Sequence, residues 1–246
     1  MEIPAEEHVS PEHIAPEHFA REQFAGEQFA REHSGEDRLA MFYNQRAVLQ
    51  PEHPLASRRV EQRERFIVRL KAEGRHGVLE IGSGLGLDGL KFVQAGMHYT
   101  GVDLSEEHVR IATSKGLNVS VASVRNLPFA DGVFPAVWSM STLLHIPNRD
   151  IDGVVRELVR VAAPGAPIAV GLWSGDDVEV LNPEDEIEPP RFFSRRSDAA
   201  LRQIFGRHGE IEEFITWPEG TGAESGPGAG HWTQHYQFLV LRTPRT

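Results

Sequence analysis

Between residues 77 and 242, short apolar runs alternate with segments whose apolar residues recur at helical spacing. The runs VLEI, IAVGLW and FLVL are almost continuously apolar, which is typical of strands covered on both faces of a sheet. Strands alternating with helices predict a mostly parallel, doubly wound α/β sheet. Strands are predicted over 77–82, 98–103, 118–123, 134–140, 167–173, 211–217 and 236–242. Helices are predicted over 36–49, 55–72, 86–95, 105–115, 149–162 and 197–208.

The first 35 residues form a degenerate five-residue repeat: PEHIA, PEHFA, REQFA, GEQFA, REHSG. A period of five matches neither a helix nor a strand. Two interpretations stay open. The segment is a disordered tail, or it forms short helices that pack Phe19, Phe24 and Phe29 onto a surface. We predict an acidic N-terminal extension at 1–35, followed by one domain over 36–246.

Two segments are predicted to be linkers because their composition departs from that of the elements around them. Residues 175–196 are acidic and rich in proline, and residues 218–230 (PEGTGAESGPGAG) are rich in Gly, Ser and Pro. Both lie near the carboxyl ends of predicted strands, where open α/β sheets bind their ligands. We therefore expect both linkers to reach the substrate side of the sheet.

The composition is that of a globular chain and excludes several classes of protein. Of 246 residues, 40% are hydrophobic and 25% are charged. Cysteine is absent, which excludes disulfides and thiolate chemistry. The sequence shows neither a membrane-spanning apolar run nor an apolar N-terminal leader, so we expect a cytoplasmic protein with no membrane partner. Arginine outnumbers lysine 22 to 3, which is typical of high-GC genomes and suggests specialised metabolism by association.

The net charge of −11 is concentrated at the N-terminus. Residues 1–37 hold nine Glu and one Asp against two Arg, so that segment carries −8. An acidic chain lacks the basic surface that nucleic-acid binding requires. We expect a small molecule as the binding partner, with no role for nucleic acid.

The strongest chemical signal is VLEIGSGLGLDGLKF at 78–92, an apolar strand followed by a glycine-rich turn and a helix. Glycine is needed where the backbone turns tightly and a ligand approaches it closely. The dinucleotide fingerprint would place its third glycine at position 87, which is Leu87. A second strand ends at Asp103, where a carboxylate can accept both hydroxyls of a ribose.

Four blocks in order resemble the class I S-adenosylmethionine-dependent methyltransferases, over roughly residues 40–243. They are ExGxGxG at 80–86, YTGVDLS at 99–105, VRNLPFADGVFPAVWSMSTLLHIPN at 124–148 and RELVRVAAPGAPIAV at 156–170. The resemblance implies a Rossmann-like seven-stranded sheet whose last strand is antiparallel. It also implies S-adenosyl-L-methionine as the cofactor.

The resemblance assigns cofactor-binding roles to particular residues. The turn from Glu80 would cradle the methionine end, Asp103 would bind the ribose, and Ser123 stands where the family often has an adenine-binding Asp. Tyr43 resembles an aromatic residue of the N-terminal helix that covers the cofactor, with core packing as an equal alternative. The predicted cofactor-binding residues are Tyr43, Glu80, Gly82, Ser83, Gly84, Asp103, Leu104, Ser123, Val124 and Met140. The sequence departs from the family pattern at Ser123, Pro135 and Ala166.

His145, at the end of the fourth strand, is the candidate general base. The alternative is a histidine hydrogen-bonded to the backbone beside the cofactor. His231 and His235 are further candidates on the substrate side, with ordinary surface positions as the alternative. No Asp or Glu lies between Asp131 and Asp150, where metal-using relatives place a ligand, so we predict no metal.

Together these features predict metal-independent methyl transfer from S-adenosylmethionine to a small molecule. One alternative is a protein or peptide methyltransferase that docks its substrate through the acidic repeat. Another is a non-catalytic regulatory protein that binds the same cofactor. A nicotinamide oxidoreductase is disfavoured by Leu87. A homodimer is a possible assembly.

Overall fold

A computed structural model describes residues 34–49, 55–218 and 235–245. Its helices are α1 (Gly35–Leu49), α2 (Ser57–Ala72), α3 (Leu87–Gln94), α4 (Glu106–Ser114), α5 (Ile151–Val161) and α6 (Asp198–Phe205). A short 3-10 helix spans Leu143–His145. Its strands are β1 (Gly77–Ile81), β2 (His98–Asp103), β3 (Val119–Val121), β4 (Val137–Met140), β5 (Pro167–Trp173), β6 (Val178–Leu181), β7 (Phe192–Arg195), β8 (Glu210–Pro218) and β9 (His235–Arg242).

Seven of these strands form one sheet in the order β3-β2-β1-β4-β5-β9-β8. Strands β3, β2, β1, β4 and β5 pair in parallel, and β9 pairs antiparallel with both β5 and β8. The chain order reverses between β1 and β4, which is where a doubly wound sheet opens a crevice at its carboxyl edge. The predicted mostly parallel, doubly wound sheet with an antiparallel last strand is confirmed.

The two faces of the sheet are covered by different helices, because successive strand residues point to opposite sides. Leu79 and Ile81 of β1 pack into a core that also holds α5 and α6. Val78 precedes Leu79 and points to the opposite side of the sheet, where it packs into the other core. To this core α2, α3 and α4 contribute Phe66, Phe92 and neighbouring side chains. The fully buried Trp138 of β4 lies in this second core.

The largest difference from the sequence analysis lies in the predicted linker 175–196. Strands β6 and β7 pair antiparallel within it and form a separate two-stranded sheet, so the linker prediction was wrong over this segment. Strand β6 (VEVL) is only four residues long, is mostly exposed, and lies within an acidic, proline-rich stretch, so its brief Val-Glu-Val alternation is too short to identify a strand. We refer to residues 178–195 as the β6–β7 hairpin.

Smaller differences concern the ends of elements. The fourth strand was predicted from residue 134 but begins at Val137, because Phe134 makes an isolated bridge with Ala162 instead. The third strand is only Val119–Val121. The repeat with Phe19, Phe24 and Phe29, and nearly all of the predicted linker 218–230, lie outside the described residues.

Candidate functional site

The carboxyl edge of the parallel strands holds a cavity of about 360 Å³ between the ends of β1, β2 and β4. Helix α1 lies across it and contributes Leu39, Tyr43, Arg46 and Ala47 to its wall. Most of the predicted cofactor-binding residues line this cavity: Tyr43, Gly82, Ser83, Gly84, Asp103, Leu104, Val124 and Met140. The proposed base His145 lines it as well. The structure therefore brings residues from both halves of the chain to one site.

The structure favours glycine at two positions of the turn, Gly82 and Gly84, for different reasons. Gly82 has φ 72°, and a Cβ there would overlap the side chain of Thr142, so this position is closed by packing. Gly84 has φ 52°, and a Cβ there would meet no atom within 4 Å. Gly84 thus leaves its backbone open to the cavity, as a turn that cradles a ligand requires.

Asp103, at the end of β2, is held in place by the backbone around it. Its Oδ2 accepts a hydrogen bond from the Gly84 amide at 2.8 Å, and its Oδ1 accepts one from the Ser105 amide at 2.9 Å. The carboxylate therefore joins the glycine turn to the start of α4. His108 Nδ1 also lies 3.4 Å from Oδ1, so Oδ2 is the oxygen with capacity for a further hydrogen bond from a hydroxyl group in the cavity.

Two predicted cofactor-binding residues, Glu80 and Ser123, do not line the cavity. Glu80 is 1% exposed and lies beneath the glycine turn, where the Tyr99 hydroxyl donates to its Oε2 at 2.5 Å. Burial raises the pKa of Glu80 well above its usual range. The Ser123 hydroxyl donates to Glu36 Oε1 of α1 at 2.6 Å, so it is engaged in holding α1.

His145 is 9% exposed and is bonded through both ring nitrogens. Its Nδ1 lies 2.8 Å from the carbonyl oxygen of Phe192, which can only accept, so Nδ1 carries the hydrogen. Nε2 is then an acceptor, and the Tyr43 hydroxyl donates to it at 2.9 Å. Burial, the main cause, lowers the pKa of His145 to about 4, so the imidazole is neutral at physiological pH.

Tyr43 lies at the centre of this arrangement. Its ring contacts the rings of His108 and His145, with centroids 5.4 and 5.7 Å away. Burial raises the pKa of Tyr43, with the Arg191 guanidinium acting in the opposite sense. The hydroxyl is therefore protonated at neutral pH and can serve as a donor.

Arg196 supports the 3-10 helix that carries His145, and the sequence analysis did not find it. Its guanidinium is 2% exposed and donates to the Ile146 carbonyl at 2.6 Å, to Asn148 Oδ1 at 2.9 Å and more weakly to the Leu143 carbonyl. Burial lowers the pKa of Arg196 to about 10, which still leaves it charged. Three acceptors beside His145 thus depend on one side chain.

A second buried charge cluster lies next to the glycine turn. Asp88, in α3, accepts hydrogen bonds from Arg59, Arg63 and the Trp138 indole at 2.8 to 3.1 Å. Asp88 and Arg59 also line the cavity. Asp88 stands at the end of the glycine motif, but nothing in the sequence identifies its partners on α2.

Of the two other histidine candidates, the structure describes only His235. The Nε2 of His235 lies 2.7 Å from Asp198 Oδ1, and His235 does not line the cavity. His231 lies outside the described residues. Within the described part of the chain, no group of three or more His, Cys, Asp or Glu side chains is arranged to hold a metal ion. No helix there is long and apolar enough to cross a membrane.

A family model described as "Methyltransferase domain" matches residues 78–165, which include the glycine turn, Asp103 and the segment that carries His145. Over these residues the chain is similar to methyltransferase domains, and its sheet has the architecture of the class I S-adenosylmethionine-dependent methyltransferases.

Among curated proteins, the chain is similar to methyltransferase GfsG of Streptomyces halstedii, with 30% identity over 48% of this chain and 45% of that protein. It is similar to norajmaline N-methyltransferase of Rauvolfia serpentina, with 33% identity over 44% of this chain and 41% of that protein. The chain thus spans less than half the length of these relatives.

Solved structures agree with the fold. A SAM-dependent methyltransferase from Methanosarcina mazei has a TM-score of 0.57 and 18% identity, covering 68% of this chain and 92% of that one. The [4+2]-cyclase SpnF has a TM-score of 0.54 and 20% identity, covering 70% and 76%.

Proposed function

We propose that this protein transfers a methyl group from S-adenosylmethionine to a small-molecule acceptor, without a metal ion. One observation carries the proposal: the cavity at the carboxyl edge joins the open backbone of Gly84 to the fixed carboxylate of Asp103. That pairing fits a nucleoside whose sugar hydroxyls bind a carboxylate and whose amino-acid end enters a glycine turn.

The residues present fit this cofactor, which supplies a methyl group already activated on a sulfonium. Asp103 would bind the ribose, the turn with Gly82, Ser83 and Gly84 would hold the methionine end, and Leu104 and Val124 would flank the adenine. Tyr43 and Met140 would close the cavity around the sulfonium. Glu80 and Ser123 do not line the cavity, so we propose that they act indirectly on cofactor binding. Their roles are to support the turn and α1.

The protein has mainly to orient the acceptor and exclude water, because the methyl donor is already activated. We propose that the Tyr43 hydroxyl is the group that contacts the acceptor. His145 would act through it as a positioning residue, since its Nε2 accepts the Tyr43 proton. For an acceptor that arrives protonated, Tyr43 would take the acceptor proton as it passes its own to Nε2. Because the pKa of His145 is low, the Tyr43–His145 pair would be a weak general base.

A small-molecule acceptor is supported by the printed names of relatives. One is the 27-O-demethylrifamycin SV methyltransferase of Amycolatopsis mediterranei, and norajmaline N-methyltransferase also names a small molecule. A probable tRNA methyltransferase 9B of Mus musculus is similar too, at 29% identity. The net charge of −11 disfavours an RNA acceptor, because polyanions repel an acidic surface.

Other assignments stay predictions: specialised metabolism, a cytoplasmic location, a homodimer and the separate N-terminal extension. A non-catalytic cofactor-binding protein is the second candidate function. The fold does not decide between the two, since a protein titled a [4+2]-cyclase shares this architecture without being named a methyltransferase.

Calorimetry with S-adenosylhomocysteine and with NAD tests the cofactor. We expect micromolar binding of the first and none of the second. Asp103→Ala should weaken binding by about 10- to 100-fold, from the loss of charge-assisted hydrogen bonds. Asp131→Asn, whose side chain is 81% exposed, is the matched control and should leave binding unchanged. Binding of NAD, or full affinity in Asp103→Ala, would overturn the cofactor assignment.

Transfer of labelled methyl groups from S-adenosylmethionine should then be measured on a panel of hydroxyl- and amine-bearing small molecules, with bulk tRNA and casein alongside. Product on small molecules, unchanged by EDTA, supports the proposal. Product on tRNA or casein alone contradicts it. Cofactor binding with no transfer to any member of the panel favours the non-catalytic alternative.

A further inference from the structure

Three arginines line the cavity, and two of them are neutralised by carboxylates. Arg59 donates through two nitrogens to Asp88 Oδ2, at 2.8 and 3.1 Å. Arg191 donates to Asp185, with Nε 2.9 Å from Oδ2. The third, Arg46, makes no hydrogen bond or ion pair within the described residues, although it is partly buried.

Arg46 lies within electrostatic reach of Arg191 and Asp185, both of which belong to the β6–β7 hairpin. Gln45, its neighbour on α1, donates to the carbonyl of Glu188 in that hairpin at 2.9 Å. Burial, followed by repulsion from Arg191, lowers the pKa of Arg46, and the opposing attraction of Tyr43 and Asp185 does not restore it. A cation held out of water beside another cation is costly unless an anion joins them. The last turn of a helix favours a cation, but an exposed side chain would serve that purpose equally well.

We propose that the acceptor carries a carboxylate, which Arg46 binds at the hairpin end of the cavity with Arg191 beside it. This inference rests on the proposed function and names the substrate class of the same site. A guanidinium matches a carboxylate in a planar, two-bond geometry. A single negative charge suffices, because Asp88 and Asp185 already neutralise the other two arginines.

The wall around Arg46 indicates what the rest of the acceptor is like. Leu39, Ala47, Leu55 and Ile146 line the same cavity. Such a surface accommodates an apolar skeleton, so the carboxylate would be the main polar group by which the acceptor is bound. We therefore expect an acid with an apolar or aromatic skeleton.

The cofactor has a carboxylate of its own, and its place has to be distinguished. The methionine end is assigned to the glycine turn, and the cavity arginine that bonds to the helix following that turn is Arg59, through Asp88. Arg46 is associated with the hairpin instead, through Gln45 and Arg191. That separation leaves Arg46 to the acceptor.

The test uses the full chain loaded with S-adenosylhomocysteine and two probes of nearly equal shape, phenylacetate and phenylacetamide. Ligand-observed NMR titration gives both dissociation constants. We expect phenylacetate to bind about tenfold tighter or more. Arg46→Gln should abolish that preference while the affinity for S-adenosylhomocysteine stays within about twofold. Arg156→Gln, on the exposed face of α5 at 69% exposure, is the matched control and should keep the preference.

Several results would overturn the inference. They are equal binding of the two probes, no binding of either, or an undiminished preference in Arg46→Gln. A large loss of S-adenosylhomocysteine affinity in Arg46→Gln would assign this arginine to the cofactor instead. Failure of the unmodified protein to bind S-adenosylhomocysteine at all would remove the proposed function itself, and the inference with it. The first calorimetric titration therefore separates the two failures.

Discussion

The two edges of the central sheet both concentrate arginine, but they use it differently. At the amino edge, Arg242 donates to Glu212 and to Glu73 at 2.7 to 2.8 Å, and Arg69 of α2 also donates to Glu212. At the carboxyl edge, Arg196 is buried against carbonyls and an amide, with no carboxylate bonded to it in the described residues. Arg46 has no hydrogen-bonded partner there either.

The difference shows which charges carry information about function. At the amino edge each arginine is bonded to carboxylates of the chain itself, so its charge is already compensated and requires no ligand. A buried cation without a carboxylate is retained only where the surrounding structure or a ligand compensates it. Buried arginines that lack a carboxylate partner in the described residues therefore point to the carboxyl edge as the functional site.

The largest expected effect is at Arg196. Arg196→Met should lower the free energy of unfolding by about 3–5 kcal/mol, because it leaves buried acceptors beside His145 without a donor. Urea unfolding measures it. Arg196→Lys keeps the charge but loses the planar geometry, so its free energy of unfolding should lie between those of the unmodified protein and Arg196→Met. If Arg196→Met lowers the free energy of unfolding by less than about 1 kcal/mol, water replaces the side chain as the donor. Buried arginine would then not be more important at the carboxyl edge than at the amino edge.

The next effect is the pH dependence due to His145. Its pKa falls from 6.5 to about 4 on folding, so the unfolded chain binds the proton more readily between those values. Stability should therefore be full above pH 6.5 and decline as the pH falls towards 4, by about 3 kcal/mol at most from this group. His145→Gln should flatten that part of the curve. A curve identical to that of the unmodified protein would place the pH sensitivity elsewhere.

A smaller effect is expected at Tyr43. Tyr43→Phe removes one hydrogen bond to His145 Nε2 and should cost about 1 kcal/mol of stability. Its effect on methyl transfer should be larger than its effect on S-adenosylhomocysteine affinity, since the hydroxyl is assigned to the acceptor. Calorimetry and turnover on the same preparation separate the two quantities. Equal losses in both would make Tyr43 a cofactor-binding residue only.

The smallest effect is expected at the amino edge. Arg65 is 53% exposed and pairs with Glu213 at 2.7 Å. Arg65→Gln should change the free energy of unfolding by less than about 1 kcal/mol, and the change should shrink as salt is added. A loss as large as that at Arg196 would remove the distinction between the two edges.

The sheet and the cofactor end of the site were predictable because their signals are local. A strand, a glycine turn and a helix follow one another within 78–92, and Asp103 ends the next strand. The acceptor end was only partly predictable. Tyr43 and His145 were each singled out, but their hydrogen bond joins residues 102 positions apart. Arg196 and the β6–β7 hairpin were missed because their partners are set by tertiary contacts, which no local pattern records.

Helix α1 covers the cavity but is attached mainly by side-chain hydrogen bonds. Phe42 is its one buried residue in the described chain. Polar side chains make the other attachments: Glu36 to Ser123 and Arg125, Asn44 to Ser105 and the Glu107 amide, and Gln45 to the Glu188 carbonyl. A helix held in this way can detach at far lower cost than the sheet can unfold. We expect α1 to exchange its amide hydrogens much faster than β1 or β4, and a bound ligand to slow that exchange. Its opening would then set how long a product resides in the cavity.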